Sequence, residues 1–508
     1  MRNHPGSRQT LGRYLTPFYN ITLGLVFILA LTACDHKPII TPNSATATQV
    51  AVLTTSPKQF GTQAITKNTI TPLPDIPATP NVLTPSPLGV TSGDLSGLEV
   101  DVWHPWTGAT EASFEAILDE FNRTNKWGIT VKATGHEGYG SLDDAMETAV
   151  TTETLPDVLV DYGYQARHWD ESGVLVDLTP YVEDTVWGLT SEEQADFFPG
   201  FWAEDLVTSG VGTNSRRIGI PYYRSAYVLF YNQSWAKELG YLEPPATPDE
   251  FRVQACAAAE SVARLGDKSA LGKGGWLITP EPGGLLGWIY AFGGHLTNPE
   301  ASGYLFDTPE TRQTFAFLKG LQVSGCAWTD TGLATQSEFA NRQALFVVGS
   351  LLDIPSQQTA FAQVSSADVW EVIPFPSSHQ PAMDTYGPSL LVMHSTPAKQ
   401  LAAWLVVEWL VYPPNQATFV GKLEAYPTRQ TTLSYLGNEG EATPQWVQAL
   451  KLLPDAQGEP TLPSWNVMRW ALNDASDQLF RVQFNADQIP SLISNLGSLA
   501  QEIVSQVH

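Results

Sequence analysis

Basic residues are scarce in this 508-residue chain: 27 Lys and Arg stand against 52 Asp and Glu, a formal charge of −25. Such a surface offers no basic face to a phosphate backbone, which argues against a nucleic-acid partner. The nine histidines are scattered and no His/Cys set has metal-ligand spacing, so neither a metal site nor a cofactor is expected. The H-E-x-x-H, P-loop Gly-Lys-Ser/Thr and G-x-S-x-G signatures are missing. A glycoside hydrolase would need two carboxylates across a cleft. The adjacent pairs Asp143/Asp144 and Glu192/Glu193 read instead as helix N-terminal acids. Acids are abundant enough to keep a hydrolase as an alternative, but no residue is assigned a catalytic role.

Long apolar runs are missing as well. The run Ile21–Leu31, behind the basic residues Arg2, Arg8 and Arg13, is too short to span a bilayer comfortably and reads as the core of a signal peptide. It leads to Leu31-Thr32-Ala33-Cys34, which resembles a bacterial lipobox. That resemblance implies cleavage after residue 33, lipidation of Cys34, export, and anchoring to the outer face of the cytoplasmic membrane. An ordinary signal peptide with an incidental cysteine is the alternative. Cys256 and Cys326 are then left in an oxidising compartment, where a disulfide between them is expected. Residues 34–96 are rich in Thr, Pro, Ser, Ala and Asn without periodicity. They bury too little to offset their ordering entropy and are expected to form a disordered tether spanning on the order of 40–50 Å.

The fold is expected from residue 97. Strand Leu98–Trp103, helix Glu111–Asn122, strand Gly128–Ala133, helix Leu142–Thr151 and strand Pro156–Val160 alternate as in a doubly wound parallel sheet. Ligands of such sheets sit beyond the strand carboxyl ends. Trp106 and Thr107, Glu137 and Tyr139, and Asp161, Tyr164 and Gln165 therefore share one rim. Ala226–Tyr231 reads as a buried strand, Asn232 as the cap of a short helix, and Thr247-Pro248-Asp249-Glu250 as a helix start. A mostly helical stretch follows, with Trp276 and Trp288 in Gly-rich loops. Helix Pro309–Val323 comes next, then a helix end, turn and buried strand over Phe339–Ser350 and a strand at Trp370–Pro374. Tyr386–Met393 reads as one strand, Ala398–Leu410 as an apolar helix, and everything from Gln445 onward as helical.

The stretch GIPYYRSAYVLFYNQSWAKELGYLEPPATPDEF, from Gly219 to Phe251, resembles the hinge-proximal signature of family 1 extracellular solute-binding proteins, which deliver sugars to ABC importers. Further pieces follow in family order: Leu155-Pro156-Asp157-Val158 with Gly173–Leu178, Phe292-Gly293-Gly294 ahead of DTPETRQ, and Phe339 with Arg342–Phe346. Ala403-Trp404, Glu408-Trp409-Leu410 and Ala425–Arg429 continue it; Arg342 stands where the family usually has Gly. The resemblance implies an α/β, two-lobed periplasmic-binding-protein type II fold, its discontinuous lobes joined by a hinge. Lobe 1 would comprise about 97–208 plus 388–424, and lobe 2 about 209–387 plus 425–508. The chain would cross near Ser209, Pro388 and Glu424.

Carried over by spacing, the cleft would present Trp106, Thr107, Tyr139, Asp161, Tyr164 and Gln165 from lobe 1. Lobe 2 would add Tyr223, Ser225, Trp276, Glu281, Trp288, Ser350, Tyr386, Trp465 and Arg469. Planar acids, amides and Arg suit hydroxyl-rich ligands, and Trp and Tyr rings suit sugar faces. Asp161 could equally be a helix cap, and Arg469 a surface ion pair. The implied partners are a carbohydrate, the transmembrane subunits of an ABC permease and, through the lipid, the membrane; the protein itself would be a monomer. A sugar sensor presenting its ligand to a membrane kinase or chemoreceptor is the alternative of another class.

Overall fold

The computed structural model describes residues 86–208, 215–266, 273–279, 281–298, 302–329, 335–436 and 443–507. The expected signal peptide, Cys34, most of the expected tether and the expected crossing near Ser209 lie outside them. In chain order the first elements are β1 (Glu99–His104), α1 (Gly108–Thr124), β2 (Thr130–Gly135), α2 (Tyr139–Thr152), β3 (Val158–Tyr162) and α3 (Gly163–Glu171). Short helices α4 (Thr179–Val182), α5 (Ser191–Ala195) and α6 (Pro199–Glu204) lead to a ribbon of β4 (Leu206–Thr208) and β5 (Ser215–Arg217). Then come β6 (Ile220–Pro221), β7 (Tyr223–Asn232), α7 (Gln233–Glu238), α8 (Pro248–Arg264), β8 (Gly274–Ile278) and α9 (Pro282–Ala291). They are followed by α10 (Pro309–Val323), β9 (Ala327–Thr329), α11 (Thr335–Ala340), β10 (Ala344–Ser350), α12 (Ile354–Gln363) and β11 (Trp370–Ile373). The last group is β12 (Met383–Tyr386), β13 (Pro388–Val392), α13 (Pro397–Val411), α14 (Pro413–Leu423), β14 (Tyr426–Pro427), α15 (Pro444–Leu452), β15 (Ala456–Gly458), α16 (Trp465–Phe480) and α17 (Ile489–Val507).

Two sheets organise these elements. The first runs β2-β1-β3-β13-β6, with β1 parallel to both β2 and β3 and β13 antiparallel to β3. The stripe Phe114, Ile117, Leu118 and Phe121 buries α1 against it. The second sheet runs β15-β12-β7-β10-β8-β9, with β11 and β14 also paired to β7. Along β7, Ala226, Val228 and Phe230 enter one core and Leu229 and Tyr231 the other. The strand is covered on both faces, which is why its sequence is an unbroken apolar run. Asn232 and Thr247 cap α7 and α8 through their side chains. Cys256 and Cys326 are joined in a disulfide that ties α8 to the residue before β9.

Among the described residues the chain passes between the sheets three times, at Tyr222, at Gly387 and between Leu423 and Tyr426. The first lobe therefore keeps its initial segment through Pro221 rather than ending at 208. Expected as one strand, Tyr386–Met393 divides at Gly387 into strands of two different sheets. A Cβ at Gly387 would lie 2.3 Å from the Tyr223 carbonyl oxygen, so two crossing backbones can meet only over a glycine.

The fold also starts earlier than 97. Val90 and Leu95 are buried in the first core, and the Ser86 hydroxyl donates to Asp184 at 2.6 Å. Within the expected all-helical C-terminal region, β15 pairs in parallel with β12.

Candidate functional site

Strand register assembles one wall. Tyr227 lies opposite both Ser350 and Asp384, and Ser225 opposite Tyr386, so these five side chains share a face of the second sheet. The hydroxyls of Ser225 and Ser350 are 2.9 Å apart, and that of Tyr386 lies 2.7 Å from Ser350. The rings of Tyr227 and Tyr386 stack with centroids 4.9 Å apart. Glu281, at the start of α9, accepts from the Tyr227 hydroxyl at 3.4 Å.

The facing wall comes from the carboxyl end of the first sheet, as expected for a doubly wound sheet. Tyr139 opens α2, Tyr162 ends β3 and Tyr164 lies in the first turn of α3. Their rings form a ladder, 3.9 Å between Tyr139 and Tyr162 and 5.2 Å between Tyr162 and Tyr164. The walls meet where Tyr162 approaches Tyr386 at 6.1 Å, and where the Arg469 guanidinium of α16 sits 5.7 Å above the Tyr164 ring. Arg469 is held there by Glu459, which accepts its Nε at 2.8 Å. Glu459 also accepts the indole N–H of Trp465 at 2.8 Å.

Of the residues expected at the cleft, Tyr139, Tyr164, Ser225, Glu281, Ser350, Tyr386 and Arg469 are brought together. Trp106 and Thr107 line an adjoining open pocket of about 620 Å³ with Pro105, Thr110, Glu137 and Gly138. Trp106 is itself almost buried, packed on Phe114 and Phe419. Tyr223 is buried beside the hinge.

Five residues serve the interior instead. Trp276 is on β8 and Trp288 on α9 rather than in loops, and both are core; Trp288 packs edge-on against Phe251 and Phe375. Trp465 is fully buried and acts on the cleft only through Glu459. Asp161 is fully buried too, accepting from the Tyr162 N–H and the Trp169 indole at 2.8 Å each, and it does not cap α3, whose N-cap residue is Tyr162. Burial and the neighbouring Asp143 carboxylate push its proton affinity up. Gln165 is buried next to Asp143, whose own pKa burial raises to about 6.

Tyr162, Tyr227, Asp384 and Glu459 were not singled out from the sequence. Period-2 alternation from Ser225 would have found Tyr227, and the strand-end rule that selected Asp161 and Tyr164 applies equally to Tyr162. Nothing local marks Asp384 or Glu459. Arg224 does not converge with Arg469. It is fully buried and gives its donors to Glu204, to the carbonyls of Tyr223 and Pro388, and to Ser389.

The fold has known counterparts. The structure of MalE, the sugar-binding protein of Xanthomonas citri, is a neighbour at TM-score 0.68 and 20% identity, covering 80% of this chain and 98% of that one. The cyclic alpha-maltosyl-1,6-maltose binding protein of Arthrobacter globiformis matches at TM-score 0.66 and 15% identity, over 80% and 99%. UgpB of Mycobacterium tuberculosis, solved with glycerophosphocholine, matches at 0.63 and 18%, over 81% and 99%. In sequence, a Brucella abortus (strain 2308) chain named as a binding protein is 21% identical over 291 residues, 56% of this chain and 68% of that one. The family model for bacterial extracellular solute-binding proteins matches residues 116–454, and this chain, with its two α/β lobes, belongs to that family.

Proposed function

We propose that the protein captures a carbohydrate, an oligosaccharide in particular, between its two lobes and hands it to the transmembrane subunits of an ABC permease. The observation that carries this reading is the pair of facing tyrosine walls: Tyr139, Tyr162 and Tyr164 from one lobe, Tyr227 and Tyr386 from the other. Flat rings suit the C–H faces of pyranoses, and the hydroxyls of Ser225, Ser350 and Tyr386 suit their hydroxyls. With the Arg224 donors committed internally and Arg469 paired with Glu459, these two arginines offer no free cation pair to a phosphorylated ligand. Two of the structural neighbours carry sugar binding in their names, which supports the same class.

Ligand entry requires the walls to part, and a ligand touching both favours the closed state by its differential affinity. Cys34 would carry the lipid that holds the receptor at the outer face of the cytoplasmic membrane, with residues between it and Ser86 as the leash. The disulfide suits that oxidising location. Function as a monomer suffices, because both walls come from one chain.

The test is a thermal-shift screen of the purified protein against mono- and oligosaccharides, polyols and amino acids. A ligand at 100 times its Kd stabilises the fold by about 2.7 kcal/mol. A shift with a sugar and no product on prolonged incubation supports a receptor. Steady hydrolysis, or silence across all sugars, overturns it.

A further inference from the structure

Asp384 is fully buried, and neither of its carboxyl oxygens meets a donor among the described residues. An ionised carboxylate left in that state is too costly to persist. The donors around it are committed elsewhere. The Tyr227 hydroxyl, on the strand opposite, donates to Glu281, and the Tyr290 hydroxyl of α9 donates to the Gly458 carbonyl at 3.2 Å. Arg469 of α16 turns its Nε to Glu459, and Arg224 turns its own to Glu204 of α6. A Cβ at Gly283 would lie 2.7 Å from Asp384 Oδ2, so the first turn of α9 lies directly over the carboxyl.

What faces Asp384 is a second acceptor. Parallel pairing of β15 with β12 sets Gln457 beside Asp384. Glu459 continues the same face two residues on, within hydrogen-bonding reach of the Asp384 carboxyl. Glu459 already accepts from Nε and Nη2 of Arg469 and from the indole of Trp465, each at 2.8 Å. A carboxylate has about four acceptor sites, so one remains. Asp384, Glu459 and Glu204 are three carboxyls beside two guanidiniums, Arg469 and Arg224. The group is neutral only if it keeps one proton, and Asp384 is the carboxyl with no cation of its own. Burial first, then Glu459, push its proton affinity well above the ordinary carboxylate range, with Arg469 opposing.

We propose that Asp384 is a positioning residue of the cleft: as a neutral acid it donates its proton to the last acceptor site of Glu459, and Glu459, so fixed, holds Arg469 over Tyr164 of the opposite lobe. Losing the proton sets two carboxylates face to face. Glu459 relieves that repulsion by turning away from Asp384, and its bonds to Arg469 loosen with the turn. The contact between the lobes is therefore tight in acid and slack in alkali. Its value for ligand capture rests on the carbohydrate reading above; the place of the proton does not.

Two spectroscopic readouts of the purified protein test this. Infrared spectra at pH 7 should show a protonated-carboxyl C=O band that Asp384→Asn lacks and Glu204→Gln retains. Glu204 is the control because burial raises its pKa to about 7. The Arg469 Nε–H resonance, assigned by its absence in Arg469→Lys, reports how firmly the guanidinium is held. Asp384→Asn keeps an N–H donor for Glu459 and should protect that proton as wild type does at pH 6. Asp384→Ala has no donor and should exchange it with water roughly fivefold faster. As pH rises towards 10, wild type should drift from the Asn variant towards the Ala variant. A band that survives Asp384→Asn, or wild type and Asp384→Asn exchanging alike at every pH, overturns the proposal. Both criteria hold even where Asp384→Ala fails to fold. Neither readout uses a ligand, so a failed sugar screen overturns the carbohydrate reading alone, and a failed band assignment overturns this one alone.

Discussion

Arg224 donates to the carbonyl of Pro388 at 2.8 Å, so a side chain on the first crossing strand holds the backbone of the second. The same guanidinium donates to the Tyr223 carbonyl at 2.9 Å and to Glu204 of α6 at 2.8 Å. The third crossing is tied in through Gln416, which donates to the Tyr222 carbonyl and to Thr428. The three crossings thus meet in one buried node of hydrogen bonds.

Removing that guanidinium strands a carboxylate. Glu204 has its pKa raised by burial to about 7 even beside Arg224. Arg224→Gln is expected to cost about 3 kcal/mol of unfolding free energy, much of it the penalty of leaving Glu204 unpaired. The double variant with Glu204→Gln should recover part of the loss. Urea denaturation at pH 7.5 checks both, and a single-variant loss under about 1 kcal/mol would show that the node does not hold the hinge.

His104 gives the fold an acid limit. It is fully buried against Trp106 and Phe114, with both ring nitrogens unpartnered. Burial, and to a lesser degree His136, lowers its pKa to about 4. Because the folded state resists the proton, the stability that the neutral ring retains at pH 7 is lost as pH falls from about 6.5 through 4. Glu204 and Asp143, with raised values, act in the opposite sense, so the comparison must be made within one background. Relative to pH 7.5, wild type at pH 4.5 should lose about 2 kcal/mol more than His104→Phe. Parallel pH profiles for the two proteins would refute the account.

The tyrosine walls make a separable prediction about binding. Tyr162 and Tyr386 are half-buried and belong to different lobes. Tyr162→Ala should weaken the sugar found in the screen by on the order of tenfold, whereas Tyr162→Phe, which keeps the ring, should bind nearly as wild type. Tyr386→Phe, which keeps the ring but loses the hydroxyl bonded to Ser350, should cost a smaller factor. Calorimetric titration of the three variants decides, and an equal loss in Tyr162→Ala and Tyr162→Phe would remove stacking from the explanation.

What the sequence revealed followed from local periodicity. The apolar stripe of α1, the unbroken run of β7 and the caps at Asn232 and Thr247 depend on near neighbours, and all appear where expected. The division at Gly387 depends on Tyr223, far away in sequence, whose carbonyl leaves no room for a Cβ. Likewise Trp276 and Trp288 sit among glycines, which suggested loops. Gly284 and Gly287 instead let α9 pack closely on Val348 and Phe375, and that packing buries Trp288. Cleft residues at strand ends were legible by topology. Glu459, which aims Arg469, was not, because its role exists only once α16 is folded beside it.

Arg342 shows why the chain can depart from its family at a turn. Its φ is 58°, a left-handed conformation that costs a side-chain-bearing residue about 1–2 kcal/mol relative to glycine. Its guanidinium pairs with Asp368 and, at 2.7 Å, with Glu238, while Asp368 also accepts from Asn232 at 2.8 Å. The turn before β10 is thereby fastened to α7 and to the approach to β11. The arginine side chain is 36% exposed, so screening limits the pairs to about 1 kcal/mol together. Arg342→Gly loses the pairs but relieves the strain and should change stability by less than about 1 kcal/mol. Arg342→Ala loses the pairs and keeps the strain, and should be the least stable of the three. High salt should narrow the gap between wild type and Arg342→Ala without moving the gap between Arg342→Ala and Arg342→Gly, because only the former is electrostatic. Denaturant titrations at low and high ionic strength measure both gaps. An alanine variant as stable as the glycine one would mean that the turn relaxes and stores no strain.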